Sequence, residues 1–73
     1  ELESAKRRHQ GKIKRAEEKI EALESEIEEL TRRQAGAAND YEKLLELEGA
    51  IAEKKDELNQ NYELWEALLE EQI

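Results

Sequence analysis

The residues with the clearest potential for chemistry form a basic segment near the start of the chain. This basic segment, Ala5–Arg15, reads AKRRHQGKIKR and holds six lysines and arginines, one histidine and no acid. Four cations of this region follow one another at steps of four, three and four residues: Arg8, Lys12, Arg15 and Lys19. In a helix they line one face. Such a face suits a phosphate backbone, although the whole chain has a net charge of -8.

No other group in the sequence has the partners that catalysis needs. His9 is the one histidine, and the lack of cysteine excludes a thiol nucleophile, a disulfide framework and a cysteine-ligated zinc site. No glycine-rich loop is present that would bind the phosphates of ATP. We therefore expect no catalytic residue, no metal site and no cofactor in this chain, and we expect His9 to lie at a helix seam.

Composition and periodicity together predict helices. Charged residues make up 44% of the chain and aromatic residues 4%, a balance typical of long helices or of disorder. The first half favours helix over disorder, because its apolar residues recur at steps of three and four: Ile13, Ala16, Ile20, Leu23, Ile27 and Leu30. In the second half four large residues lie seven apart: Leu44, Ile51, Leu58 and Trp65.

A stop signal and a start signal separate these two periodic halves. Gly36 can adopt the left-handed conformation that ends a helix, and Asn39 with Glu42 resembles a capping box. The predicted fold is all-α, a two-helix antiparallel coiled-coil hairpin in a single domain. Residues 1–73 then divide into helix 1 at about 2–34, a turn at about 35–39 and helix 2 at about 40–72.

The hairpin also predicts which residues face each other. Folding at residue 37 pairs positions whose numbers sum to about 74, which places Trp65 over His9 and Lys6. The basic segment then lies beside the glutamate-rich stretch Gln60–Glu71. Internal charge matching is therefore one role for its cations, and nucleic-acid contact by the cations in surplus is another. The two roles are compatible, and both stay open.

A second, smaller cationic spot lies at the predicted hairpin tip. Arg32 and Arg33 stand in the last turn of helix 1, where cations offset the negative end of the helix dipole. A tip is also where an arm touches a distant surface, so an external contact is the other interpretation.

The remaining features bear on location and assembly. No apolar run approaches the roughly 18 residues of a membrane span, and no signal-peptide pattern is present. The lack of cysteine fits the cytoplasm. The chain does not begin with Met, so we expect it to be a piece of a larger protein. We expect a monomeric hairpin, with a homodimer through the broad apolar face of helix 2 as the alternative.

Several motifs occur in a distinctive order. EKIEALESEIEEL (Glu18–Leu30) is followed by a short loop of small residues, then YEKLLELEGAI (Tyr41–Ile51), and finally YELWEALLE (Tyr62–Glu70). This order resembles the C-terminal coiled-coil domain of the ABC-F family of ATPases, in particular its Uup-like members, over about residues 8–72. Ala16 and Glu17 stand where the family often has a Leu-Pro step, which implies a straighter first helix.

The resemblance implies a function that periodicity alone does not. Members of the family act on translating ribosomes and hydrolyse ATP in cassettes that precede this domain, so ATP would belong to the parent protein. In Uup-like members the hairpin is associated with nucleic-acid binding, DNA included. The implied function is a non-catalytic arm that contacts ribosomal RNA or DNA. The alternative is a structural or protein-interaction coiled coil that binds no nucleic acid.

The residues to which nucleic-acid contact is carried over are the basic ones. They are Lys6, Arg7, Arg8, Lys12, Lys14, Arg15, Arg32 and Arg33.

Overall fold

The computed structural model describes residues 1–71, and it places nearly all of them in two helices. Helix α1 spans Leu2–Gly36 and helix α2 spans Tyr41–Glu70. The two pack against each other as a hairpin that measures 59 × 14 × 11 Å. The predicted all-α hairpin is confirmed. Helix α2 ends at Glu70 with Glu71 as its extended C-cap, and residue 72, the predicted end of helix 2, lies outside the described residues.

The helix ends differ from the sequence prediction in their capping residues. Gly36 is the last residue of α1 and its φ is not positive, so the expected left-handed cap is wrong. Ala37 ends the helix instead, with φ -108° and ψ 23°. Asp40, and not Asn39, caps α2, because its carboxylate accepts a 3.1 Å hydrogen bond from the backbone nitrogen of Lys43. An aspartate at this position satisfies a free N–H and suits the positive end of the helix dipole.

The core is a single seam between the helices. Within residues 1–71 it contains six buried apolar residues: Ala16, Ile20, Leu23, Leu47, Ile51 and Leu68. Leu23 is the most enclosed, with 1% of its surface exposed. The rest of the stripe predicted in α1 is half-buried. Heptad spacing therefore identified the face of α1 that packs on α2, because steps of three and four residues keep one side of a helix on its partner.

Two polar residues lie within the seam of α2, and both have partners. Lys54 reaches Glu26 across the interface, with 2.8 Å between Nζ and Oε2. Asn61 donates from Nδ2 to the carbonyl oxygen of Glu57 at 2.8 Å, within its own helix. A seam that holds satisfied polar groups gives up some stability and gains a defined register.

The observed register differs from the predicted one. Trp65 does not lie over His9 and Lys6; its indole Nε1 donates to Glu17, about two helical turns further along α1. Two causes combine. Helix α1 continues to Gly36, which moves the turn to residues 37–40. Large aromatic side chains also lean along the helix and reach diagonally across it.

Candidate nucleic-acid interface

The six cations of the basic segment lie at the open end of the hairpin, the end opposite the turn. All of them are exposed: Lys6, Arg7, Arg8, Lys12, Lys14 and Arg15. They occur within three turns of α1, and Gly11 causes no break in the helix there. An uninterrupted helix fixes the spacing of these positive charges, which a disordered tail would not do.

Within residues 1–71 the internal charge matching that the sequence allows forms at a single pair. Among residues 1–71 the basic segment makes one ion pair, in which His9 Nδ1 lies 3.1 Å from Glu71 Oε2, and it is charged only when the imidazole is protonated. The six lysines and arginines make none within that range. Glu63, Glu66 and Glu70 occupy heptad positions of α2 that face away from α1, which explains why they do not reach these cations.

Two cations of the predicted stripe lie together on one side of the seam, and a cation outside the stripe lies on the other side. Lys12 and Arg15 border a groove on one side of the seam, together with Leu64 of α2. Lys14 lies on the other side, near Trp65. Lys19, the last member of the predicted stripe, has its Nζ 3.7 Å from Glu57 Oε2. The basic surface therefore ends at Arg15.

The tip cations lie in a different electrostatic setting. Arg32 Nη2 is 2.8 Å from Glu29 Oε2, and Arg33 Nε is 3.6 Å from Glu29 Oε1. The hydrogen bond from Arg32 and then its charge lower the pKa of Glu29 below its ordinary value. About 25 Å of helix separates Arg32 from Arg15, so the tip cations and the basic segment do not form one continuous basic surface. The tip has two cations that share one carboxylate.

Tyr62 and Trp65 line a second groove, which the sequence did not predict. Their rings meet edge to face at 6.4 Å and 73°. Trp65 Nε1 donates to Glu17 Oε2 at 3.0 Å, and the Tyr62 hydroxyl donates to Glu24 Oε2 at 2.7 Å. The hydrogen bond to Glu24, and then burial, raise the pKa of the Tyr62 hydroxyl above its ordinary value. The sequence shows that Glu17 and Glu24 lie seven residues apart beside the seam, but this spacing does not identify the ring that each carboxylate meets.

Within residues 1–71, neither helix has the length and apolar character that a membrane crossing requires.

Comparison with known proteins assigns the family. A family model described as the ABC transporter C-terminal domain matches residues 4–70, a span that includes both helices almost completely and the whole basic segment. No match is found among curated proteins or among solved structures. The match confirms the resemblance drawn from the motifs at the level of ABC transporter C-terminal domains. The hairpin is thus an accessory domain of the ABC type, and the chain belongs to the ABC transporter C-terminal domain family.

Proposed function

We propose that the chain is a non-catalytic arm of an ABC-F type ATP-binding protein, and that it contacts nucleic acid through its open end. The nucleic acid is ribosomal RNA on a translating ribosome, or DNA. The observation that carries the proposal is the set of six exposed cations of the basic segment, which have no ion pair among the described residues. In this proposal ATP binds to cassettes elsewhere in the parent protein, in the cytoplasm.

The electrostatics of the open end support phosphate contact over base reading. A lysine or arginine without a protein counterion can displace the cations condensed on a phosphate backbone, and their release favours binding. Lys12 and Arg15 lie on one side of the seam and Lys14 on the other, so these cations can follow a charged backbone without presenting one defined face to the bases. Arg32 and Arg33 contribute less, because both already lie beside Glu29.

The proposed arm acts as a monomer. The exposed leucines of α2 are Leu45, Leu64 and Leu69, each about half exposed. By their spacing they point in different directions around the helix, so they do not form the continuous apolar stripe that a second helix would cover. Sedimentation tests this directly, because a monomer of 8.5 kDa is well separated from a dimer.

A salt-dependent titration tests nucleic-acid binding. The chain is titrated with a duplex DNA and with an RNA hairpin between about 50 and 200 mM salt, and the logarithm of the association constant is followed. The double variant Lys12→Gln, Arg15→Gln removes two exposed cations and is expected to reduce the salt slope by about two.

The matched control removes the same charge from α2. Lys43→Gln, Lys55→Gln alters two exposed lysines outside the basic segment, and it is expected to leave the slope unchanged. Binding that is absent at low salt would contradict the proposal. Equal losses in the two double variants would also contradict it, since net charge alone would then explain the affinity.

A further inference from the structure

We infer that the groove beside Trp65 binds an arginine side chain from a basic segment of a partner protein. This groove, called here the Trp65 groove, runs along the side of the seam opposite Lys12 and Arg15. It is open to solvent, so it is accessible to a side chain presented by another chain. Its walls combine two aromatic rings of α2 with carboxylates of α1.

The aromatic wall is held in place by hydrogen bonds at its polar edges. The Trp65 indole N–H donates to Glu17 and the Tyr62 hydroxyl donates to Glu24, at 3.0 and 2.7 Å. The two rings also brace each other, edge to face, at 6.4 Å. With their polar atoms engaged on α1, the rings offer the groove carbon surface. An indole face is the best aromatic partner for a cation.

The charge of the groove selects a cationic occupant. Glu17, Glu18 and Glu21 line it, against the single cation Lys14. Glu18 and Glu21 are exposed and make no ion pair within the described part of the chain. Three residues apart on one helix, their carboxylates are near neighbours on its surface. A phosphate backbone is repelled by these three carboxylates, so the Trp65 groove differs in charge from the basic surface of the proposed function, with Lys14 at the border between them.

Arginine fits this arrangement better than lysine. Its planar guanidinium stacks on an aromatic face and still donates in its own plane to carboxylates, whereas an ammonium is a compact and strongly hydrated charge. A second copy of the chain would supply arginines too. The net charge of -8 on each copy opposes association of two copies, whereas a different and basic protein meets no such repulsion and is the occupant that we infer.

Trp65 is the only tryptophan of the chain, so its emission reports on the groove. The probes are two acetylated and amidated hexapeptides, one of alternating glycine and arginine and one of alternating glycine and lysine. The arginine peptide is expected to change Trp65 emission saturably and to bind about two- to fivefold more tightly than the lysine peptide. The double variant Glu18→Gln, Glu21→Gln is expected to weaken the arginine peptide about threefold or more.

The control variant Glu46→Gln, Glu48→Gln removes the same charge from exposed positions of α2 outside the groove. It should change the affinity less than about 1.5-fold. Circular dichroism serves as the control for folding, and both double variants are expected to remain helical.

Three kinds of result would overturn the inference. The first is a negative binding test, which means either an unchanged Trp65 emission at the highest peptide concentration or equal losses of affinity in the two double variants. The second is a larger change of emission with a single-stranded oligonucleotide than with the arginine peptide, which would assign the groove to a base. The third is a dimer in sedimentation that Glu18→Gln, Glu21→Gln dissociates, which would assign the groove to a second copy.

Discussion

Two neighbouring parts of α1 relate to the fold in opposite ways. The middle segment, residues 16–30, contributes Ala16, Ile20 and Leu23 to the core, whereas the basic segment, residues 5–15, contributes no fully buried residue. The middle segment also makes four polar contacts with α2: Glu17–Trp65, Lys19–Glu57, Glu24–Tyr62 and Glu26–Lys54. Among the described residues the basic segment makes one, His9–Glu71.

The difference separates the residues that specify the hairpin from those that are left for an external ligand. A rigid arm needs its two helices to pack in one register. The middle segment fixes this register through its buried apolar residues and its specific polar contacts with α2. A charge already paired within the fold would have to break that pair before it could contact a phosphate. The basic segment avoids this cost, because its six lysines and arginines have no such pairs in the part of the chain that the structure describes.

The largest expected effect is the loss of core packing in the middle segment. Leu23→Ala removes the most enclosed side chain of the seam, which is 1% exposed, and should lower the free energy of unfolding by about 2–4 kcal/mol. A two-helix domain of this size has little stability to lose, so partial unfolding at room temperature is expected. Urea denaturation followed by circular dichroism measures the change.

The matched control for this prediction is Leu45→Ala. It makes the same chemical change at a residue of α2 that is 49% exposed, and it should cost less than about 1 kcal/mol. Similar losses at the two positions would show that the stability of the hairpin does not reside in the seam.

The sequence predicted apolar packing better than charge pairing, because the two interactions differ in strength. The stripe from Ile13 to Leu30 was predictable because apolar burial depends on spacing alone, and each buried side chain contributes about 1.5–3 kcal/mol. Exposed charge pairs each contribute less than about 1 kcal/mol to stability. Matching opposite charges along the sequence therefore does not determine how the two helices align. For that reason the expected pairing of the basic segment with Glu63, Glu66, Glu70 and Glu71 forms only between His9 and Glu71 among residues 1–71.

The candidate site also has one part that the sequence predicted and one part that it did not. The cations at the open end were evident from residue type and spacing, and their exposure agrees with that pattern. The Trp65 groove was not predicted, because it depends on which carboxylate meets which ring. That choice follows from the position of the turn and from the diagonal reach of the side chains, and neither is fixed by the heptad pattern.

The second prediction tests the boundary between the two segments. Asn61 is a half-buried seam residue that lies beside Ala16, Lys12 and Arg15. Asn61→Leu replaces it with an apolar side chain and should raise the free energy of unfolding by about 1 kcal/mol, at the expense of a less defined register. Urea denaturation measures the gain. Asn59→Leu adds the same side chain at an exposed position and should give none; equal gains would show that helix propensity, not seam packing, is responsible.

The third prediction concerns pH and the contact between Glu26 and Lys54. The hydrogen bond from Lys54, then its charge, lowers the pKa of Glu26, and the same pair raises the pKa of Lys54. The pair therefore stabilises the fold most between about pH 5 and pH 10. Its contribution is lost as the pH falls through the lowered pKa of Glu26, and also as the pH rises through the raised pKa of Lys54.

Thermal midpoints measured against pH check this dependence. The difference between the unmodified chain and Glu26→Gln should be constant through neutral pH and shrink at both extremes. Glu46→Gln, which alters an exposed acid with no ion pair among residues 1–71, serves as the control and should show no such profile. A difference for Glu26→Gln that stays constant down to pH values well below the ordinary range of glutamate would contradict the prediction.

The smallest expected effect on stability lies in the basic segment and is the sharpest test of the comparison. The triple variant Lys6→Gln, Arg7→Gln, Arg8→Gln removes three exposed cations, and it should change the free energy of unfolding by less than about 0.5 kcal/mol. In a nucleic-acid titration the same variant should lower the salt slope by about three. A loss of stability above about 1 kcal/mol would mean that these cations stabilise the hairpin, and the separation between folding residues and binding residues along α1 would fail.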